Sequence, residues 1–180
     1  MQKYRIHVLI VAWIIAGGLM MAAAKQEGTK PEFSRTTIDV GVVVSDVERA
    51  VQFYTEALGF SDTGRFEVPA QMAADTGLTE QKPFQVRVLA LGKEPAATKL
   101  KVMQIAGTAA QRVDNRDLGS CLGIRYLTVF VSDLGKTMER LSRQGITPVK
   151  PPYRLSGGNN DLILVKDPDG NIIELIGPRP

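Results

Sequence analysis

Two stretches of the chain share one pattern of apolar and polar positions. Residues 41–47 read Gly-Val-Val-Val-Ser-Asp-Val, and residues 128–134 read Thr-Val-Phe-Val-Ser-Asp-Leu. After each copy, apolar residues recur every three or four positions, which is the period of an amphipathic helix. These residues are Val47, Ala50, Val51, Tyr54, Ala57 and Leu58 in the first copy and Leu134, Thr137, Met138 and Leu141 in the second. The repeat predicts two strand–helix modules that share one hydrophobic core, since neither would bury its sheet face alone.

The first module is expected to span residues 36–107 with the element order β-α-β-β-β. Its strands are predicted at Thr37–Ser45, Phe60–Val68, Phe84–Leu91 and Lys99–Ile105. The helix follows the first strand and ends at Gly59. Ser45 followed by Glu48 three residues later is typical of a capping box, which predicts Ser45 as the N-cap. A short helical segment is expected within residues 69–78.

The second module, residues 123–177, repeats this order after a linker of residues 108–122. Its strands are predicted at Ile124–Ser132, Thr147–Val149, Leu162–Lys166 and Ile172–Ile176, and its helix at Asp133–Gln144. Residues 167–171 read Asp-Pro-Asp-Gly-Asn, a turn in which Pro fixes φ and Gly accepts positive φ. The linker permits the two modules to pair within one chain or to exchange between two chains of a homodimer.

The N-terminus predicts export. Lys3 and Arg5 precede an apolar run over residues 8–24 that ends in three alanines, as in a signal peptide with its cleavage site. We therefore expect residues 1–24 to be a signal peptide, residues 25–35 a flexible lead-in, and the mature protein to be periplasmic or extracellular. The alternative is an uncleaved segment that anchors the protein to the membrane through residues 8–24.

The amino-acid composition excludes some classes of function. Without residues 1–24 the chain keeps 20 of its 22 basic residues against 19 acidic ones, so its net charge is close to +1. Such a balance argues against nucleic-acid binding, which needs a clustered basic face. Cys121 is the single cysteine and has no partner for an internal disulfide. It also lacks a histidine to activate it, because the single histidine, His7, lies in the predicted signal.

Three motifs of the paired modules are informative: Val-Ser-Asp before each helix, Leu58-Gly59-Phe60, and above all residues 167–175, Asp-Pro-Asp-Gly-Asn-Ile-Ile-Glu-Leu. With these motifs the chain resembles the vicinal oxygen chelate (VOC) superfamily, which includes glyoxalase I, bleomycin-resistance proteins and extradiol dioxygenases. It implies an α+β fold in which the two β-α-β-β-β modules form a half-open mixed-sheet barrel over residues 36–177. It also implies that a small-molecule ligand binds inside the cup of this barrel.

Strand alternation indicates which side chains face the cup. Val40, Val42 and Val44 match Leu127, Val129 and Val131 as apolar faces, which should pack under the helices. The opposite faces, Asp39, Gly41 and Val43 with Tyr126, Thr128 and Phe130, should then point into the cup. In the last strand of each module the same argument places Lys101 and Glu174 inward. Four polar positions are thus expected to converge: Asp39, Lys101, Tyr126 and Glu174.

The resemblance implies that these four positions carry His, Glu, His and Glu in metal-dependent members, and only Glu174 keeps that identity. Lys101 places an ammonium group where an anionic ligand should be, and Tyr126 is a poor ligand for a divalent ion. We therefore expect no metal cofactor. If a divalent metal did bind, Asp39 and Glu174 would be its ligands.

Three interpretations of the four polar residues remain open. In the first they are structural, with Lys101 and Glu174 forming an ion pair surrounded by Asp39 and Tyr126. In the second the cup binds a small organic molecule without transforming it, as metal-free bleomycin-resistance proteins do. The ligand-binding residues would be Asp39, Gly41, Lys101, Met103, Tyr126, Thr128, Phe130 and Glu174.

The third interpretation is a lyase or isomerase of the glyoxalase type, which moves a proton next to a carbonyl group. Glu174 would act as the base, and either Lys101 or a weakly bound divalent metal would act as the electrophile. Tyr126 would donate a hydrogen bond to the developing oxyanion. The sequence does not identify the substrate.

Overall fold

The computed structural model describes residues 32–108 and 110–179, and contacts divide the chain after Ser34. The described helices and strands lie in the unit that begins at Arg35. The predicted signal or anchor, residues 1–24, and all but the end of the lead-in lie outside the described residues. No helix within residues 32–108 and 110–179 has the length and apolar content to cross a membrane.

The first module forms a four-stranded mixed sheet with the strand order β1-β4-β3-β2. β1 is parallel to β4, and the other neighbouring strands are antiparallel. The strands are β1 (Asp39–Val43), β2 (Ser61–Val68), β3 (Phe84–Ala90) and β4 (Lys99–Met103). Between β1 and β2 lie α1 (Val47–Gln52) and a π-helical turn (Phe53–Ala57), and α2 (Ala70–Asp75) precedes β3.

The second module repeats this topology with the strand order β5-β8-β7-β6, and β5 is parallel to β8. Its elements are β5 (Tyr126–Phe130), α3 (Leu134–Arg143), β6 (Tyr153–Arg154), β7 (Asn160–Lys166) and β8 (Ile172–Pro178). No backbone ladder joins the two sheets in the part of the chain that the structure describes. The predicted α+β fold with tandem modules is confirmed, and the barrel stays open.

The predicted capping box at Ser45 is wrong. The N-cap of α1 is Asp46, whose carboxylate accepts a hydrogen bond from the backbone N–H of Arg49 at 3.0 Å. Asp133 caps α3 in the same way. Ser45 instead bonds a carboxylate of the other module, because tertiary contact offers its hydroxyl a stronger, charged acceptor.

The predicted strand at residues 147–149 is also wrong. The edge strand β6 lies at Tyr153–Arg154, where it pairs with β7. Residues 148, 151 and 152 are prolines, which cannot donate to a β-ladder and therefore delay the strand. Val149 still donates one isolated hydrogen bond to the carbonyl of Leu164 at 2.8 Å.

The main hydrophobic core lies between the helices and the sheets, and both modules contribute to it. Its largest fully buried apolar side chains are Tyr54, Leu89, Leu134, Leu141, Ile163, Ile173 and Leu175. The apolar faces of β1 and β5 predicted to lie under the helices pack against this core, which confirms the alternation argument. Burial of such side chains from both modules stabilises them as one unit.

Polar contacts join the modules at the turn of residues 167–171. The Tyr54 hydroxyl donates to Asp167 Oδ2 at 3.0 Å in the buried interior. Ser45 donates to Asp169 through its backbone N–H and its hydroxyl, at 2.8 and 2.6 Å. Burial, and the charge of Asp167 beside it, raise the pKa of the Tyr54 hydroxyl, so it remains a donor. The two modules therefore pair within one chain in this structure.

We expect Tyr54→Phe to lower the free energy of unfolding by about 1.5–3 kcal/mol, since it removes a hydrogen bond to a buried carboxylate. Urea denaturation followed by circular dichroism measures this loss. Tyr153→Phe is the matched control, because Tyr153 is 69% exposed and its change should stay within about 0.5 kcal/mol. Equal effects of the two substitutions would contradict the role given to this bond.

Candidate functional site

The cup faces of the sheets carry the side chains that alternation predicts. On β1 and β5, Val43, Tyr126 and Phe130 are 49%, 45% and 73% exposed, while Val44 and Val129 on the helix side are buried. On β4 and β8, Lys101 and Glu174 lie between buried apolar neighbours that face the helices. The predicted inward orientation of Lys101 and Glu174 follows from this alternation.

The helix α2 covers part of the cup face of the first sheet. Its Ala73 is fully buried in a second, smaller apolar cluster with Val86. Met103, the cross-strand partner of Val86, packs against the same cluster. Because cross-strand partners share a face, this cluster lies on the cup side of the first sheet. Met103 is therefore largely a packing residue beneath the cup, rather than an open wall of it.

Asp39 is the centre of a charged cluster on the first sheet. Its Oδ2 lies 2.9 Å from Arg35 Nη2 and 3.0 Å from Lys101 Nζ, and its side chain is 12% exposed. Arg35 first, and Lys101 second, hold the pKa of the Asp39 carboxyl below its ordinary value. The second oxygen, Oδ1, is buried and has no hydrogen-bond partner among the described residues. Asp39 thus stays ionised and is held by two cations.

Glu174 has a different partner from the predicted one. Its Oε2 accepts a hydrogen bond from the Thr128 hydroxyl at 2.7 Å, across the parallel pair β5 and β8. The ion pair between Lys101 and Glu174 that the first of the three interpretations contains is wrong, since Lys101 pairs with Asp39 on the adjacent strand of its own sheet. The Tyr126 hydroxyl forms no hydrogen bond within residues 32–108 and 110–179.

The residues present do not fit a divalent metal. A metal would need the carboxylate of Asp39, which already faces two cations at ion-pair distance. The ammonium group of Lys101 would lie beside the ion, and that repulsion is costly at low effective dielectric. No group of three His, Cys, Asp or Glu side chains converges in the described part of the chain. The donor set here is one free carboxylate and a phenol, which is poor for zinc or nickel.

An apolar pocket of about 230 Å³ lies at the seam between the sheets. It brings together residues 40–43 of β1, residues 124–127 around the start of β5, and residues 171–173 at the start of β8. We call it the seam pocket. Val43, Ile124 and Ile172 are apolar lining residues, and Tyr126 adds an aromatic ring with a hydroxyl. The remaining polar lining residues are Tyr54, Arg125 and Asn171. Larger grooves of about 380 and 520 Å³ contain none of the four polar cup residues.

Gly41 leaves the seam pocket open on the β1 side. A Cβ atom built there would meet Met103 Cε at 3.5 Å, an ordinary van der Waals contact, and the residue has no positive φ. The backbone therefore does not require glycine at this position. Its effect is on the space above the strand, which a larger side chain would fill.

Sequence reasoning missed two cations of the first sheet. Arg35 was placed in the lead-in, yet it binds Asp39 four residues later. Lys99 lies on the same face of β4 as Lys101 and is the direct cross-strand partner of Asp39. The alternation Lys99-Leu100-Lys101 could have shown that Lys99 faces the cup together with Lys101. Arg35 precedes the strand, so no strand pattern predicts where its side chain points.

We expect Arg35→Gln and Lys101→Gln each to raise the pKa of Asp39 from its lowered value, because each removes a cation beside the carboxylate. Carboxyl ¹³C NMR titration measures the shift, with Lys136→Gln on the exposed side of α3 as the control. Since the folded pKa is lowered, Asp39 stabilises the fold above its unfolded pKa of about 3.9, and this contribution disappears as the pH falls through the folded value. An unchanged pKa in both variants would contradict the charged cluster.

The curated relatives of this chain include proteins named as lactoylglutathione lyases. A putative lactoylglutathione lyase from Brassica oleracea var. gemmifera is 27% identical over 139 residues, which are 76% of this chain and 43% of that protein. A probable lactoylglutathione lyase from Synechocystis sp. is 26% identical over 133 residues, 74% of this chain and 88% of that protein. This chain spans less than half the length of the plant relatives it matches.

Solved structures share the fold. A glyoxalase family protein from Bacillus cereus superimposes with a TM-score of 0.69 at 19% identity, over 84% of this chain and 99% of that one. Glyoxalase I from Zea mays gives a TM-score of 0.58 at 22% identity, over 80% of this chain and 45% of that one. The family model of the Glyoxalase/Bleomycin resistance protein/Dioxygenase superfamily matches residues 37–175. The chain therefore belongs to the Glyoxalase/Bleomycin resistance protein/Dioxygenase superfamily, which confirms the resemblance found in its sequence.

Proposed function

We propose that this protein binds a small organic molecule in its cup without the help of a metal ion. The observation that carries the proposal is the ion pair between Lys101 and Asp39, whose atoms lie 3.0 Å apart. It commits one of the two carboxylates that could hold a metal and leaves a positive charge beside it. The proposal includes export of the protein, as expected from its first 24 residues.

The seam pocket supports ligand binding. It combines a mainly apolar lining with the polar groups of Tyr54, Arg125, Tyr126 and Asn171, and a mainly apolar lining with a few polar groups is usual for a small-molecule site. At about 230 Å³ it lies below the roughly 300–1,000 Å³ typical of drug-sized ligands. A ligand held there is therefore small, and Val43, Tyr126 and Ile172 would contact its apolar part. Thr128 and Glu174 offer a polar edge farther along the same sheet.

We expect a thermal-shift screen of small organic molecules, run in EDTA, to yield compounds that raise the melting temperature of the purified full chain. Gly41→Leu should abolish these shifts, because its side chain fills the seam pocket. Gly158→Leu is the matched control, since a Cβ there meets nothing within 4 Å in the β6–β7 hairpin. Calorimetry on the same three proteins gives the affinities.

Binding that appears only after zinc, nickel or manganese is added would contradict the proposal that no metal ion is needed. Loss of that metal dependence in Asp39→Asn and in Glu174→Gln would then identify the two carboxylates as ligands. Ligand shifts that persist in Gly41→Leu would place the bound molecule outside the seam pocket.

A second candidate function is proton transfer next to a carbonyl group. It is favoured by the relatives named as lactoylglutathione lyases and by the carboxylate of Glu174 on the cup face. Glu174 would be the base, and its bond to Thr128 would orient it. Lys101 would be the electrophile, although it would first have to leave Asp39.

Solvent-deuterium exchange into α-hydroxycarbonyl compounds separates the two functions. For a binding protein we expect no exchange above the uncatalysed rate, with or without added metal. If exchange occurs and Glu174→Gln lowers it by about a hundredfold or more, as removal of a general base does, the lyase function takes first place. Thr128→Val would then test whether the hydrogen bond from Thr128 orients Glu174. Loss of this bond should lower kcat and leave KM unchanged.

A further inference from the structure

The cup face of the first sheet carries more positive than negative charge. Arg35 and Lys101 pair with one carboxylate, that of Asp39, and Lys99 is the cross-strand neighbour of Asp39 on β4. On strands β1 to β4, Asp39 is the one acidic residue at an inward-facing position. Lys99 has no carboxylate within ion-pair distance in residues 32–108 and 110–179. The pKa of Asp39 is lowered, so its charge does not change near neutral pH and the surplus of two positive charges persists.

This surplus lies next to the seam pocket. Gly41, which lines the pocket, is the cross-strand partner of Lys101, and the preceding inward-facing pair on the same strands is Asp39 with Lys99. Across the seam Ile124 is 87% exposed and Tyr126 is 45% exposed, and Arg125 and Asn171 also line the pocket there. A molecule in the pocket thus lies against β1, whose neighbouring strand β4 carries Lys99 and Lys101, and faces Ile124, Arg125 and Tyr126 across the seam.

We propose that the ligand of the cup is a small organic acid whose carboxylate pairs with Lys99 and Lys101 while its apolar body fills the seam pocket. The inference rests on the proposed binding function and adds the chemical class of the ligand. Lys99 is the principal partner, because Lys101 is already shared with Asp39. The same charges that oppose a dication favour this anion.

The size of the pocket limits the apolar body of a ligand to about one ring with a short side chain. The probe compounds are chosen to match this size. Phenylacetate, phenylacetamide and phenethylamine have nearly the same shape and carry a negative, zero and positive charge at pH 7. Calorimetry or ligand-observed NMR on the full chain measures their dissociation constants. We expect phenylacetate to bind about tenfold more tightly than phenylacetamide, as one partly buried charge pair would provide, and phenethylamine to bind weakest.

Lys99→Gln keeps most of the side-chain stem and removes its charge. We expect it to weaken phenylacetate binding about tenfold and to leave phenylacetamide unchanged. Lys136→Gln, on the helix side of the second sheet, should change neither. Should Lys99→Gln fail to fold, the wild-type protein supplies a second readout: added salt should weaken phenylacetate binding and spare phenylacetamide.

The outcomes separate this inference from the proposed function. Equal affinities for the acid, the amide and the amine, all lost in Gly41→Leu, would contradict the proposal that the ligand is an acid. They would still support small-molecule binding in the seam pocket. If none of the three probes binds, the proposal that the ligand is an acid is contradicted as well. Compounds found in the wider screen would still support the proposed function. Failure of both the probes and the screen would remove the two proposals together.

Discussion

The contact between Tyr54 and Asp167 is the constraint on which the arrangement of the two modules depends. A hydroxyl from the first module and a carboxylate from the second meet in the interior, where neither could remain without a partner. The same carboxylate accepts the backbone N–H groups of Asp169 and Asn171 and so fixes the turn before β8. One buried side chain therefore sets both the shape of this turn and the position of the neighbouring module.

The chemistry of the cup follows from a second pairing, between Lys101 and Asp39. The resemblance in the sequence implies anionic and imidazole ligands at these positions in metal-binding members, and here a cation and its counter-ion occupy two of them. The pair leaves Glu174 to its own partner, Thr128, on the other sheet. The two sheets thus carry separate polar sites instead of one shared centre.

The sequence predicts the direction of side chains better than their partners. Alternation along β4 and β8 places Lys101 and Glu174 on the cup side because period two is a local property of a strand. Which acid Lys101 meets depends on register and on the distance between two sheets, which no local pattern encodes. Ser45 illustrates the same limit, since the capping pattern points to it but Asp46 is the N-cap and Ser45 bonds Asp169, far away in sequence. The prolines before β6 argue in the sequence itself against the strand that was predicted at residues 147–149.

The helix α2 has a consequence for the symmetry of the molecule. A duplicated fold would offer a ligand two equivalent ways to lie, related by the pseudo-twofold axis between the halves. Ala73 and its neighbours fill the concave side of one half alone, and no counterpart of α2 occurs between β6 and β7 in the described structure. A molecule bound between the halves would therefore meet two unlike surfaces, one covered in part by a helix and one without such a cover in the described residues.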